Sequence, residues 1–488
     1  MKESSYKNIF KSTAIFGGVQ VFGILISIVR SKFIAVLLGP AGMGINALLT
    51  SSTTMISSLT NFGLGTSAVK NIAAANATGD ELQIAKVVTV FRHWVWITGL
   101  LGFLVTLVLA PWLSEMAFGN RDYTISFLMI SVTLLLTQIS SGQGVVLRGM
   151  RQIKYMAQSG MIGSALGLVT SLPLYYFFAE KGIVPAIIIT SITSTLLTWY
   201  YARKIQVKKV HVNRPELISE GKGMLTLGFM LSLSGLITTG VSYLVRIFIS
   251  NKGGLNDVGL YNAGFAIINS YVGMVFTAMS ADYYPRLSGV AHDKVKVTKE
   301  INQQAEIALL IIAPIICTFL VYIDWAVTLL YSRKFIAINA MIQWAALGMF
   351  FKATSWAIAF ILLAKGASKV FFWNELITNV YLLVLNLAGY YYYGLAGLGI
   401  SFMIAYLIYL VQIVILTRSL YDLRFRASLV GLFIIQFSLG LGCFLLMKFA
   451  GGLKAYIGGS LLIISSAAYS FYELNRRVGF KELLKKKK

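Results

Sequence analysis

The chain has 488 residues, of which 57% are hydrophobic and only 12% charged, and it carries a formal net charge of +24. Soluble domains are nearer 45–50% apolar and about 25% charged, so this composition excludes a soluble body and makes lipid the main solvent. The positive charge does not call for nucleic acid, because basic residues collect in the cytoplasmic loops of membrane proteins and set their orientation.

Apolar runs of about 20 residues cross the hydrocarbon core as helices, since only a helix satisfies its own backbone there. Fourteen such runs are predicted, at 12–38, 43–66, 87–113, 123–147, 156–178, 183–201, 224–250, 259–283, 307–331, 337–364, 371–391, 395–416, 429–449 and 456–472. The split after span 1 rests on Gly39, Pro40 and Gly42, and the split after span 11 on Gly394 and Gly397. Lys2 and Lys7 precede a run too long for a cleavable signal segment. The fold class expected is therefore an all-α polytopic membrane protein of about 14 transmembrane helices. Cys317 and Cys443 lie inside apolar runs and read as small hydrophobes rather than a bridge or a metal site.

Fourteen spans put both termini on one side. Most of the 42 Lys and Arg fall in the loops of that side, which assigns it to the cytoplasm. The longest of these loops, Ala202 to Gly223, carries Arg203, Lys204, Lys208, Lys209, Arg214 and Lys222 and reads as a midpoint linker. The tail from Arg476 to Lys488 ends in four lysines, which suits water or anionic headgroups.

An internal repeat supports the midpoint. Arg30 precedes Asn46 and Ala47 by the same spacing that separates Arg246 from Asn262 and Ala263, with Gly44 and Gly259 just ahead of each Asn. Six spans per half is an even number, so the halves share one orientation and a pseudo-two-fold axis along the membrane normal. The division expected is an N-terminal six-helix half at 1–205, a C-terminal six-helix half at 206–427, and two extra helices with a basic tail at 428–488.

Ionisable groups inside spans cost about 2.5–3.5 kcal/mol at the bilayer centre and usually line a cavity. The intramembrane cations are Arg30, Lys32, Arg246 and Lys352. Lys352 lies too deep to snorkel, Lys32 reads as a flank residue, and the repeat favours a cavity role for Arg30 and Arg246 over snorkelling. Carboxylates are nearly absent from the spans: Asp282 and Glu375 sit at cytoplasmic span ends and Asp324 toward an outer end. A cavity with cations and no deep acid favours an anionic cargo, because guanidinium and ammonium groups hydrogen-bond phosphate or carboxylate oxygens. Lys70, Arg92, His93, Arg148 and Arg151 stand at the cytoplasmic mouth, where they either attract that anion or only orient the loops. The aromatics, Tyr390 to Tyr393 among them, read mainly as interfacial belts and packing. The sequence contains no GxxxxGK[ST] loop for ATP and no His–Cys metal spacing.

Several stretches resemble a known family: GPAGMG at 39–44, FGNRDY at 118–123, LRGMRQ at 147–152, DYYPRLS at 282–288, SRKF at 332–335 and LLAKGASKVFFWNE at 362–375. In this order the chain resembles the Wzx-type O-antigen and lipid-linked oligosaccharide flippases of the multidrug/oligosaccharidyl-lipid/polysaccharide exporter superfamily, the lipid III flippases among them. The resemblance implies two six-helix halves around a cationic lumen. It also implies movement of an undecaprenyl-diphosphate-linked oligosaccharide from the cytoplasmic to the periplasmic leaflet of a bacterial inner membrane by alternating access. The lumen cations it matches are the span 1 cation (Arg30 or Lys32), Lys70, Arg148 and Lys352. The substrate-binding set expected is thus Arg30, Arg246, Lys352, Lys70 and Arg148, with Asp282 and Glu375 for ion coupling. No catalytic or metal residue is expected, and no cofactor beyond a coupling proton or sodium ion. The partners expected are the lipid-linked cargo, membrane lipids and a polysaccharide polymerase or other assembly proteins, with no nucleic acid and a monomer as the working unit. Two readings compete: an ion-coupled small-molecule (drug) antiporter, which would want an acid in the cavity, and a membrane glycan polymerase, which would want a large outer loop.

Overall fold

The computed structural model describes residues 22–208 and 210–478. These residues form helices and connecting turns, with no strand among them. Eight helical segments are long and apolar enough to cross a membrane by length and composition. Three of the eight, 51, 76 and 54 residues long, each contain more than one predicted span. Large apolar side chains cover the outside, as lipid contact requires: Phe449, Trp325 and Phe177 are each about three-quarters exposed.

Two units divide the chain, residues up to Gly259 and residues from Leu260 onward. The first begins with α1 (22–37) and α2 (Gly39–Thr60), joined at Gly39, whose φ of +68° makes the turn and whose successor Pro40 starts α2. Residues 12–21, the start of predicted span 1, lie outside the described residues. α2 is absent from the eight strongly apolar segments because one of its faces is polar, as described below. Next come α3 (Leu64–Thr78), α4 (Glu81–Val108) and the short α5 (Ala110–Phe118). Asp80 caps α4 by accepting from the N–H groups of Leu82 and Gln83. Pro111 at the start of α5 marks where predicted span 3 breaks into two helices. The unit continues with α6 (Thr124–Gly149), α7 (Ile153–Phe178), α8 (Ile183–Arg203) and most of α9 (Arg214–Phe265), which breaks at Gly254 with φ +82°.

Two glycine contacts seat α9 in this unit. A Cβ on Gly44 would lie 2.0 Å from the Leu255 carbonyl oxygen, and one on Gly259 would lie 1.8 Å from that of Pro40. Each glycine therefore packs on the residue four before the other, the reciprocal contact that a local two-fold produces. These are the same two glycines that flank the sequence repeat. At the far end of α2, Gly63 and Gly228 meet just as closely, and between the ends Ser52 donates a 3.0 Å hydrogen bond to the Tyr243 hydroxyl. The basic linker belongs to this unit too. Lys86 pairs with Glu216 and Glu220, Lys208 pairs with Glu81 at 2.6 Å, and the Trp94 indole donates to the Leu217 carbonyl at 3.0 Å.

The second unit holds α10 (Met274–Gly289), α11 (Lys294–Val321), α12 (Ile323–Leu330), α13 (Asn339–Ala364), α14 (Ser368–Tyr421), α15 (Ala427–Phe449) and α16 (Gly452–Val478). A π-turn over Ala266–Val272 interrupts predicted span 8. α14 breaks at Gly394 with φ +56°, where the sequence predicts the split between spans 11 and 12. Tyr391, Tyr392 and Tyr393, just before that break, point outward, whereas Tyr390 is buried. α13 is the centre of the unit. Gly399 of α14 lies against the Met341 backbone and Gly440 of α15 against the Phe350 ring. Cys317 and Cys443 are both buried and unbridged, as expected of packing residues.

α15 and α16 are fastened to α11 by polar groups as well as by packing. The buried amide of Gln436 donates to Ser470 at 2.8 Å and accepts from Ser466 at 2.6 Å. At the end of α16, Arg477 bonds the carboxylates of both Glu306 on α11 and Glu473 on its own helix, and Ser428 donates to the other Glu306 oxygen at 2.6 Å.

Candidate functional site

The first unit encloses a cavity of about 1180 Å³. It is larger than the 300–1,000 Å³ typical of small-molecule sites, so it admits a bulkier cargo. Its walls are single faces of successive helices, because a helix returns to the same face every three or four residues. α6 contributes Ser140, Ser141, Gly144 and Arg148; α8 contributes Thr190, Ser194 and Thr198; α9 contributes Ser232, Gly235 and Thr239. α1 presents Gly23, Ser27 and Arg30, and α2 ends on the wall with Ser58 and Asn61. Among the described residues hydroxyls and glycines dominate the lining, its two charges are both arginines, and no carboxylate or aromatic ring belongs to it.

A second cavity of about 510 Å³ adjoins the first and shares Ser27, Arg30, Ser58 and Thr190 with it. Arg30 thus stands at the neck between two chambers. The stripes continue across it: Thr133 and Thr137 of α6 and Asn46, Thr50 and Thr54 of α2 line the second chamber. From Arg148 to Thr133 is 15 residues of helix, about 22 Å of travel along the path. That is most of the hydrocarbon thickness of roughly 30 Å.

Of the residues expected to bind substrate, the structure brings Arg30 and Arg148 into one cavity. Lys70 is exposed on α3, one residue beyond the lining residue Val69. Arg246 lies on α9 and donates to the Ser242 carbonyl of its own helix at 3.0 Å, outside the lining of either chamber. Lys352 belongs to the second unit, where it donates to Asn269 at 3.0 Å and lies 5.0 Å from the Tyr406 ring centre and 5.5 Å from that of Phe402. Asp282 is exposed, 3.7 Å from Arg286 one helical turn away. Glu375 is half-buried on α14, in the second unit, and lines neither chamber. Among the described residues no group of three or more His, Cys, Asp or Glu could hold a metal.

The hydroxyl stripes escaped a reading that looked for charge. Their signal is nevertheless in the sequence: Thr190, Ser194 and Thr198, like Asn46, Thr50 and Thr54, repeat every four residues inside otherwise apolar spans. Such a face has no reason to meet lipid.

Helices of membrane-spanning length around a polar chamber that holds two arginines are an arrangement suited to a transport protein. The family comparison is specific: residues 33–340 match the model of the polysaccharide biosynthesis protein family, and the chain belongs to that family. A relative is the lipid III flippase of Escherichia coli (strain K12), 23% identical over 387 residues, which cover 78% of this chain and 90% of that protein. Among solved structures, the lipid II flippase MurJ in an inward-closed conformation superimposes with a TM-score of 0.68 at 12% identity, over 96% of this chain and 99% of MurJ. An inward-facing multidrug resistance transporter of the MATE family gives 0.63 at 17% identity, over 83% and 93% of the two chains. The fold is that of the multidrug/oligosaccharidyl-lipid/polysaccharide exporter superfamily, as the sequence resemblance implied.

Proposed function

We propose that this protein is a flippase that carries an undecaprenyl-diphosphate-linked oligosaccharide, of the O-antigen repeat type, from the cytoplasmic to the periplasmic leaflet of a bacterial inner membrane. The observation that carries the reading is the cavity of the first unit, with Arg148 at its mouth, Arg30 at its neck, hydroxyls between them and no acid on its walls among the described residues. Arginine binds phosphate oxygens by paired charged hydrogen bonds, and a low-dielectric wall strengthens them. A cationic drug would meet only like charge here, which disfavours the antiporter reading. The glycan occupies the polar space while the prenyl chain stays in lipid, and the protein alternates between states open to one leaflet and to the other. Cargo shifts that equilibrium only by binding one state better than the other.

The test is reconstitution in proteoliposomes with a fluorescent diphosphate-linked oligosaccharide whose leaflet is read by a membrane-impermeant quencher. A charged hydrogen bond is worth about 1.5–3 kcal/mol, so Arg30→Ala and Arg148→Ala should each slow flipping about tenfold or more. Undiminished flipping by both variants would sink the charge-based mechanism, and absence of flipping by the wild type would sink the function.

A further inference from the structure

A cavity of about 390 Å³ lies in the second unit, where α11 begins and α13 and α14 end. Lys294 and Thr298 of α11, Lys365 just after α13, and Ser419, Tyr421 and Asp422 at the end of α14 supply its polar lining. The spans set its depth. Predicted spans 10 and 12 end at 364 and 416, so Lys365, Ser419 and Tyr421 stand only a few residues beyond them, at most about 8 Å of helix. Headgroups occupy roughly 5–8 Å on either side of the hydrocarbon, so the cavity sits at phosphate depth.

The charges around it do not cancel. Lys294 pairs with Asp422, and Arg424 lies 3.6 Å from the other oxygen of that carboxylate, so these two cations already outnumber the acid. Asp293, at the start of α11, is taken by Lys296 at 3.1 Å. Among the described residues no carboxylate pairs with Lys365, whose ammonium stands 5.7 Å from the Tyr421 ring centre. The helix ends do not reverse this balance. α13 and α14 bring their negative ends here, but the carbonyls of Leu363 and Leu362 accept from Gly366 and Ala367 at 3.0 Å, and that of Arg418 from Asp422 at 2.9 Å. α11 begins here and adds its positive end. One border is apolar: Leu420 belongs to the lining and is 47% exposed, where an acyl chain can lie.

We propose that this cavity binds the phosphate headgroup of an anionic membrane lipid, at a site other than the arginine-bearing cavity of the first unit. Lys365 meets the phosphate oxygens directly. Lys294 has three donors, so it can serve the phosphate while keeping Asp422. Tyr421 walls the headgroup, as tyrosines do at membrane interfaces.

The experiment follows thermal unfolding of the full chain in neutral detergent micelles as phosphatidylglycerol is added, with phosphatidylcholine as the neutral reference. A ligand of the folded state raises the midpoint in proportion to its occupancy, which gives an apparent affinity. Phosphatidylglycerol should raise the wild-type midpoint saturably and phosphatidylcholine should not. Lys365→Met should weaken the apparent affinity about tenfold, whereas Lys365→Arg, which keeps the charge, should stay within about threefold. Ser419→Phe fills the cavity without changing charge and should also weaken binding at least about fivefold. Lys365 and Ser419 are both exposed, so neither change threatens folding. Lys154→Met, the same loss of charge at an exposed position in the first unit, should stay within about twofold of wild type. Full affinity in both Lys365→Met and Ser419→Phe, or equal losses in Lys365→Met and Lys154→Met, would overturn the site. A midpoint rise that inorganic phosphate alone reproduces at equal ionic strength, and that Lys365→Met abolishes, would overturn the lipid in favour of free phosphate.

Discussion

Replacing Arg477 by methionine removes the cation that bonds both Glu306 and Glu473, each only 5% exposed. After the change Glu306 keeps its bond from Ser428 on Oε1 but its Oε2 is left without a donor, while Glu473 Oε2 loses one of its two cationic donors and keeps the 3.0 Å bond from Arg476. Breaking a buried pair by removing one partner costs about 3–5 kcal/mol, because a desolvated charge is left uncompensated. At about 2 °C per kcal/mol for a unit of this size, the unfolding midpoint should fall by at least about 6 °C. Tryptophan fluorescence during a thermal ramp in detergent micelles reads it. The triple variant Arg477→Met, Glu306→Gln, Glu473→Gln carries no stranded charge and should recover most of the loss, since replacing all members of a buried ionic group is often close to neutral. The midpoint difference should also persist in high salt, because buried pairs are poorly screened. If Arg477→Met melts within about 1 °C of wild type, the network is wet and does not fasten α16 to α11.

Gly44→Ala and Gly259→Ala each drive a Cβ into a backbone carbonyl and should cost about 1–3 kcal/mol or more, whereas Gly431→Ala, with nothing within 4 Å, should be neutral or stabilising in the same melt. Lys352→Met removes an intramembrane cation whose insertion cost of about 2.5–3.5 kcal/mol exceeds or matches the about 1.5–3 kcal/mol of its bond to Asn269. Its midpoint should therefore hold or rise; a fall would show that the bond to Asn269 outweighs the insertion cost. Lys294 beside Asp422 holds that carboxyl below its usual value. A lowered folded value contributes stability above the unfolded pKa and loses it as pH falls. The midpoint gap between wild type and Asp422→Asn should then be present at neutral pH and close once the pH drops below about 4. Asn tolerates the left-handed backbone at this position, φ +46°, so the variant isolates the charge.

The sequence alone determined the helical membrane class and most span positions, because the bilayer leaves the backbone no alternative to helix over an apolar run of about 20 residues. Gly39–Pro40 and Gly394 marked their turns for a similarly local reason, a backbone conformation that glycine or proline supplies. The pairing of Gly44 with Gly259 was legible as a repeat in sequence, but only packing showed the two glycines in contact. Burial of Glu306 and Glu473 was not legible, since both lie at span ends that read as wet and become dry only when α11 and α16 meet. The same holds for the five cations expected to bind substrate. Composition placed them in or beside the membrane, and helix periodicity could not say which faces converge. Tertiary structure alone selected Arg30 and Arg148 for one cavity and put Lys352 in the other unit, because a cavity is made by several helices at once and no single stretch of sequence specifies its partners.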